Sequence, residues 1–451
     1  MSNSLYSKRL HQAIPGGAHT YSRGDDQFPS NAPAILEKGV GSYVWDPMGN
    51  KFLDYGMGLR SVNIGYGNPE VAEAVYQEVL KGNNLTRATT TELAAAELLI
   101  DTIPAVEMVK FAKHGSTVTT AALKLARAYT GKKYVCIPRQ HPFFSYDDWF
   151  IGSTPLKRGI PEEYRQLTLH FDYNDISSLE RLFDQYKGEI AAVMLEPASL
   201  EGPCPADHKQ GVSGCEDCAS GGENFLHKVQ KACQKNGAVF ILDEMITGFR
   251  WHLKGAQTYY NVKPDLTTFG KAMANGFAVA ALGGKREIME IGGILDEGKE
   301  RVFLTSTTHG AEMSALGAFI KTVEILQREQ VIRHFWTYGN QLVHGINSIA
   351  EKHGIQDQFQ IIGYGVSPNY ITRDQNKDVS LAFRTLFSQE MIKQGVLMPY
   401  ISLSYAHQQE ELDITLHAVD KALEVYAQAL SNGIDNYLSS PVIKPVFRQF
   451  N

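Results

Sequence analysis

Cysteine is scarce in this chain: five in 451 residues, at Cys136, Cys204, Cys215, Cys218 and Cys233. So odd and sparse a set does not make a disulfide framework and fits a reducing compartment. Long apolar runs are lacking too. None approaches the roughly 18 residues of a membrane span. The opening stretch, "MSNSLYSKRLHQAIPGG", has no apolar core, so a secretory signal is not expected. Positive charge is in deficit, with 43 Lys and Arg against 49 Asp and Glu, a net charge of −6. Without a basic stripe, nucleic acid is not the expected partner. No internal repeat or low-complexity tract appears. No G-x-G-x-x-G follows an early strand, which argues against a dinucleotide-binding enzyme. The simplest reading left is a cytoplasmic enzyme.

What is present suits a large core. Hydrophobic residues make up 43% and charged residues 20% of the chain, ordinary for a globular protein of two or three domains. Residues 1–67 are rich in Gly, Pro and aromatics. "SYVWD", a turn at Pro47–Asn50 and "KFLDY" predict a hairpin. From 68 to 325 helical spacing alternates with short apolar runs, among them "EMVKFAKHG", "KYVCIPR", "AAVMLEP" and "AVFILDE". Such alternation predicts an α/β domain with a mostly parallel sheet covered on both faces. A smaller α+β region is expected over 326–432, together with the N-terminal segment. Residues 433–451 read as an extension without clear periodicity.

The chemistry gathers around Lys271, in "PDLTTFGKAMANGFAVAALGG". No acidic residue lies within the seven that follow it, and Asp265 is six before. A solvated lysine sits poorly in so apolar a stretch. In "AVFILDEMITGFR", 28 residues earlier, Asp243 and Glu244 stand at the end of a buried strand. Ligands of open α/β sheets bind at that edge. A carboxylate there can also simply cap the next turn or pair with Arg250. Together with Lys271, however, it matches the two ends of a bound pyridoxal phosphate. The lysine must lose its proton to form a Schiff base, which apolar burial favours. A buried aspartate keeps the ring nitrogen protonated, so that the ring draws electrons. In "FAKHGSTVTTAALKLARAYTG", Gly115 and Ser116 lie between a strand and a helix. Backbone N–H groups and a hydroxyl at a helix start suit a phosphate dianion; an ordinary Ser/Thr N-cap is the alternative. Three more hydroxyls follow at Thr117, Thr119 and Thr120. In "HPFFSYDDWFIGST", Phe143 or Phe144 could stack on the ring, or be plain core.

These elements, in this order, resemble the class III pyridoxal-phosphate aminotransferases of fold type I. The nearest resemblance is to glutamate-1-semialdehyde aminomutase and its aminotransferase relatives. It rests on "IPGGAHTYSRG", "DPMGNKFLDYG", "KLARAYTGK", "DEMITGFR", "PDLTTFGKAMANGFAVAALGGKREIM" and "SLSYAH", and spans roughly Ile14 to Leu430. It implies a large domain with a seven-stranded, mostly parallel sheet and a smaller α+β domain. By this resemblance Lys271 carries the internal aldimine and Asp243 meets the pyridine nitrogen. Gly115 and Ser116 form the phosphate turn, Phe143 takes the place of the family's stacking Tyr, and Met245 packs behind the ring. Thr307 matches a Thr that reaches the phosphate of the neighbouring subunit, implying a homodimer with shared active sites. Arg23 matches an arginine that binds the substrate carboxylate. Arg60 stands where the aminomutase has a Trp-Gly pair, and a second cation there would serve a second acidic group. The resemblance implies transfer of an amino group between a small-molecule donor and a carbonyl acceptor, through pyridoxamine phosphate. The departures at Leu59–Arg60 and Phe143–Phe144 favour transamination over intramolecular aminomutase activity. An inactive binding protein of the same fold is the alternative from another class.

One segment is absorbed by none of this. Residues 203–222 form an insert in which Cys204, His208, Cys215 and Cys218 are spaced C-x3-H-x6-C-x2-C. Three cysteines and a histidine are a legitimate structural zinc set. A long loop with scattered cysteines is the alternative.

Overall fold

In the computed structural model, residues 2–204 and 223–451 are described. The chain divides into two compact units, Pro69–Ile332 and the pair of segments Met1–Asn68 and Arg333–Asn451.

The unit Pro69–Ile332 is built on seven strands: β1 (Met108–Ala112), β2 (Tyr134–Pro138), β3 (Thr168–Phe171), β4 (Ile190–Leu195), β5 (Val239–Asp243), β6 (Leu266–Phe269) and β7 (Ala280–Gly284). Their spatial order is β1-β7-β6-β5-β4-β2-β3. Strand β7 runs antiparallel to both its neighbours, and the remaining pairs are parallel. Every residue of β4 and β5 is buried. That explains their unbroken apolar sequences: a parallel strand covered on both faces has no polar side to show. Helices supply the cover. Gly115–Thr130 packs on several strands and stops at Gly131, which takes the left-handed φ of 68° that a helix C-terminus asks for. Helix Phe225–Asn236 ends the same way at Gly237, just before β5.

The second unit holds the expected hairpin, Tyr43–Trp45 against Lys51–Asp54, within a four-stranded sheet. A two-stranded ribbon, Phe359–Ile362 with Asn369–Thr372, and helices Leu381–Lys393 and Gln409–Asn432 complete it. Its core is tied by a buried polar cluster. Tyr55 OH lies 2.7 Å from both Tyr338 OH and Thr415 Oγ1, and the Tyr55 ring stacks on His407 at 4.4 Å. His407 Nε2 reaches the Asp54 carbonyl at 3.1 Å. The Asp54 carboxylate accepts from the Gly56 and Met57 N–H groups and from Tyr66 OH. This clamp holds a run of four left-handed residues, Met57 (φ 41°), Gly58 (58°), Leu59 (62°) and Arg60 (66°). Three of them carry a Cβ, so the run is strained. The last residues have no regular structure yet are anchored, as Ser440 Oγ accepts from Ser30 N and Ile443 N donates to Thr385 Oγ1.

Tyr55→Phe removes the hydroxyl that Tyr338 and Thr415 share and leaves both facing an apolar edge. A stability loss of about 1–3 kcal/mol is expected in urea denaturation. A loss under about 0.3 kcal/mol would show that the cluster contributes little.

Candidate active site

Strand β5 delivers two adjacent carboxylates to the carboxyl edge of the sheet, and the chain treats them differently. Glu244 is fully buried, and both its oxygens are taken. Oε2 accepts from Thr247 Oγ1 and Ala256 N, and Oε1 from Gln257 N and Nε2. It fastens the loop that leads into helix Ala256–Tyr259, the capping duty a strand-end carboxylate can have. Asp243 is 2% exposed, and its two hydrogen bonds, from Met245 N and Thr268 Oγ1, both fall on Oδ1 at 3.0 Å. Oδ2 accepts nothing from a described residue. Burial pushes the Asp243 carboxyl up to about 6, and nearby Lys271 opposes that rise. Thr268 faces Asp243 in the register between β5 and β6. Its role was not anticipated; only strand pairing reveals it.

Lys271 follows β6 in a short 3₁₀ turn, Lys271–Ala274, with a left-handed φ of 45°. It is half-buried, while Ala272, Met273 and Ala274 behind it are buried. Asp265 is no partner for it: that carboxylate pairs with Lys285 at 2.6 Å. Three separate segments converge on the Met245 sulfur. A Cβ added at Gly115 would lie 2.9 Å from Met245 Sδ, and one at Gly270 only 2.6 Å. At both positions a Cβ would force the Met245 side chain to shift. The two glycines bring the start of helix Gly115–Thr130, the end of β5 and the turn of Lys271 together.

Ser116 is not an N-cap. His114 occupies that place, without a side-chain capping bond. Ser116 Oγ accepts from Tyr146 N at 3.0 Å, so its hydroxyl hydrogen is left to donate. The three threonines do not line a phosphate site as a group. Thr119 Oγ1 bonds the carbonyls of Gly115, Ser116 and Phe144, and Thr120 Oγ1 bonds Asp147 and receives Trp149 Nε1–H. Of the two phenylalanines, Phe144 is buried core, whereas Phe143 is 45% exposed with its edge against Phe150. Trp149 is core as well, and Tyr146 is exposed. Thr307 lies at the surface of this unit, its carbonyl accepting from Gly310 N.

Arg23 and Arg60 belong to the other unit. Arg23 is exposed in a 3₁₀ turn, Tyr21–Arg23. Arg60 ends the strained left-handed run, with its guanidinium 4.8 Å from the centre of the Tyr400 ring. Of the proposed zinc set, His208, Cys215 and Cys218 lie outside the described residues. Cys204 is a buried free thiol, and among the described residues no group of three or more His, Cys, Asp or Glu is placed to hold a metal.

A sheet of seven strands with one reversed, an acid at the end of its middle strand and a lysine just past the next one define a pyridoxal-phosphate-dependent transferase of fold type I. The family model for class-III aminotransferases matches residues 26–430. The chain belongs to that family, whose members are pyridoxal-phosphate-dependent transaminases or aminomutases. Solved structures agree in fold. The FumI protein of Sphingopyxis sp. MTA144, in its PLP internal aldimine form, is 23% identical with a TM-score of 0.83 over 98% of each chain. An omega-transaminase from Sphaerobacter thermophilus is 24% identical with a TM-score of 0.79, over 95% of this chain and 98% of that one. A glutamate-1-semialdehyde aminomutase from Pseudomonas aeruginosa PAO1 is 18% identical with a TM-score of 0.78 over 94% of each chain. Among the described residues no helix is long and apolar enough to cross a membrane.

Two predictions follow from this geometry. The folded Asp243 carboxyl sits at about 6 against an ordinary 3.8. Its stabilising contribution is thus fully present below the lower value and lost as the pH rises through the higher one. The cofactor-free protein, relative to Asp243→Asn, should lose about 3 kcal/mol between about pH 4 and pH 6.5, read from denaturant midpoints. A constant difference across that range would refute the raised value. Gly270→Ala places a Cβ against Met245 Sδ, and a loss of about 1–3 kcal/mol is expected. Adding Met245→Ala should relieve most of it; additive losses in the double-mutant cycle would place the strain elsewhere.

Proposed function

We propose that this protein is an aminotransferase that passes an amino group from a donor to a separate carbonyl acceptor, with Lys271 and Asp243 at its centre. The observation that carries this reading is the contrast between Glu244, both of whose oxygens are taken by the chain, and Asp243, whose two hydrogen bonds both fall on Oδ1. A protonated ring nitrogen is a donor that would suit Oδ2. Gly115 and Gly270 let the start of the helix and the lysine turn close on the Met245 sulfur, beside the acid.

In this reading, pyridoxal phosphate supplies an aldehyde that takes up the amino group and a ring that draws electrons from the substrate Cα. Asp243 Oδ2 holds the proton on the ring nitrogen, with Thr268 and the Met245 N–H fixing its carboxylate. The N–H groups of the first turn of helix Gly115–Thr130 and the Ser116 hydroxyl bind the phosphate dianion. Phe143, exposed where Phe144 is not, offers a ring face for stacking. Met245 would pack behind the ring, as the resemblance implies. Lys271 Nζ removes the substrate's α-proton as general base. Thr307 serves the phosphate of a partner copy in a homodimer, consistent with its exposure. Arg23 and Arg60 are assigned, on the resemblance, to acidic groups of the substrate. No metal is needed for this chemistry; a zinc staple for the 203–222 insert rests on its spacing alone.

The alternative, an intramolecular aminomutase, is favoured by the motif resemblance. The departures at Leu59–Arg60 and Phe143 weigh against it.

The test is a spectrum followed by turnover. The protein loaded with pyridoxal phosphate should absorb at about 410–430 nm, with the band lost on borohydride reduction and altered in Lys271→Ala. Amino donors should bleach it, and a carbonyl acceptor should restore it. Product formed from one substrate with no donor would instead establish the aminomutase. A band that is absent, or the same in Lys271→Ala, would leave a binding protein.

A further inference from the structure

The hydroxyls of Ser116, Thr119 and Thr120 lie at i, i+3 and i+4, one face of helix Gly115–Thr130. All three bond the same loop, and Thr119 Oγ1 also reaches the carbonyls of Gly115 and Ser116 in its own helix, at 3.2 and 3.1 Å. Ser116 Oγ accepts from Tyr146 N at 3.0 Å. Thr119 Oγ1 lies 3.0 Å from the Phe144 carbonyl. Thr120 Oγ1 receives Trp149 Nε1–H at 2.8 Å and donates to Asp147, whose own N–H bonds Ser145 Oγ at 3.1 Å. Thr119 is fully buried, so its bond to the Phe144 carbonyl is shielded from water, which strengthens it; the other bonds of the set are part-buried. Phe150 completes the grip, since its ring meets Phe143 and Phe144 edge-on at 5.7 Å each. The loop is therefore fastened at Phe144, Tyr146, Asp147 and Trp149, while Phe143, next to the first of these, stays exposed.

We propose that Thr119 and Thr120 are positioning residues that set the Phe143 ring against the cofactor, by locking its loop to the helix whose first turn receives the phosphate. This rests on the reading above, in which Gly115 and Ser116 hold the phosphate and Phe143 stacks on the ring. The lock makes the two ends of the cofactor site one rigid piece. A ring that stacks well must sit within a few tenths of an ångström of its partner, on the order of the tolerance for preorganised sites. An exposed aromatic on an untied loop would not meet that tolerance.

The experiment uses the full chain stripped of cofactor and titrated with pyridoxal phosphate. Three readouts are taken: the dissociation constant, the induced circular dichroism of the bound chromophore and competition by inorganic phosphate. Thr119→Val keeps the shape and removes the hydrogen bond. It should weaken pyridoxal phosphate about tenfold and shrink the induced dichroism, leaving phosphate competition within about twofold. Thr119→Ser should restore both. The proposal falls if Thr119→Val matches the parent in affinity and dichroism, or if Thr119→Ser is as impaired as Thr119→Val, which would point to methyl packing. Should Thr119→Val not fold, Thr120→Val, which keeps the shape and removes the hydroxyl that receives Trp149 Nε1–H, is read against the same expectation. Phe143→Leu separates this proposal from its premise. A changed dichroism in Phe143→Leu beside an unchanged Thr119→Val overturns the lock alone. No change in either removes the stacking as well.

Discussion

Much of this structure is organised around one carboxylate oxygen. Asp243 is driven into the protein at the end of the middle strand, where burial raises its pKa and only its Oδ1 is satisfied by the chain. Its neighbour Glu244, one residue on, shows that the fold is able to saturate a carboxylate at this edge. The difference between the two is thus a property of the site and not of strand ends in general. Lys271 is near enough to oppose the rise of the Asp243 pKa that burial causes.

Around that oxygen, close approach replaces side-chain bulk. Gly115 and Gly270 let the Met245 sulfur touch two turns that are far apart in sequence. The same economy governs the helix start, where His114 caps without a side-chain bond and Ser116 keeps its hydrogen. Rigidity comes from elsewhere, from the threonines that tie the Phe143 loop and from the four hydrogen bonds on Glu244. Class III membership gives these features a chemical purpose.

The glycine stops and the apolar strands were legible in the sequence because each is a local or periodic signal; Asp243 and Lys271 were singled out by their settings at a strand end and in an apolar stretch, and the two do lie near one another. Residues whose importance comes from pairing were not legible there. Thr268 is one of two threonines in "LTTF" until β5 and β6 are in register. The Thr117, Thr119 and Thr120 hydroxyls suggested a polar site, when two of the three hold a loop. The extension after residue 432 looked patternless because its order comes from bonds to Ser30 and Thr385, distant in sequence.

The sequence by itself determined the fold class, the alternation of strand and helix, and which lysine and aspartate to watch. Burial patterns and glycine positions are written residue by residue, so local reading recovers them. Only the tertiary structure decided which of two adjacent carboxylates is available and which of two adjacent phenylalanines presents its ring. Both decisions depend on what donors and packing partners other segments bring, and no spacing along a single chain records that.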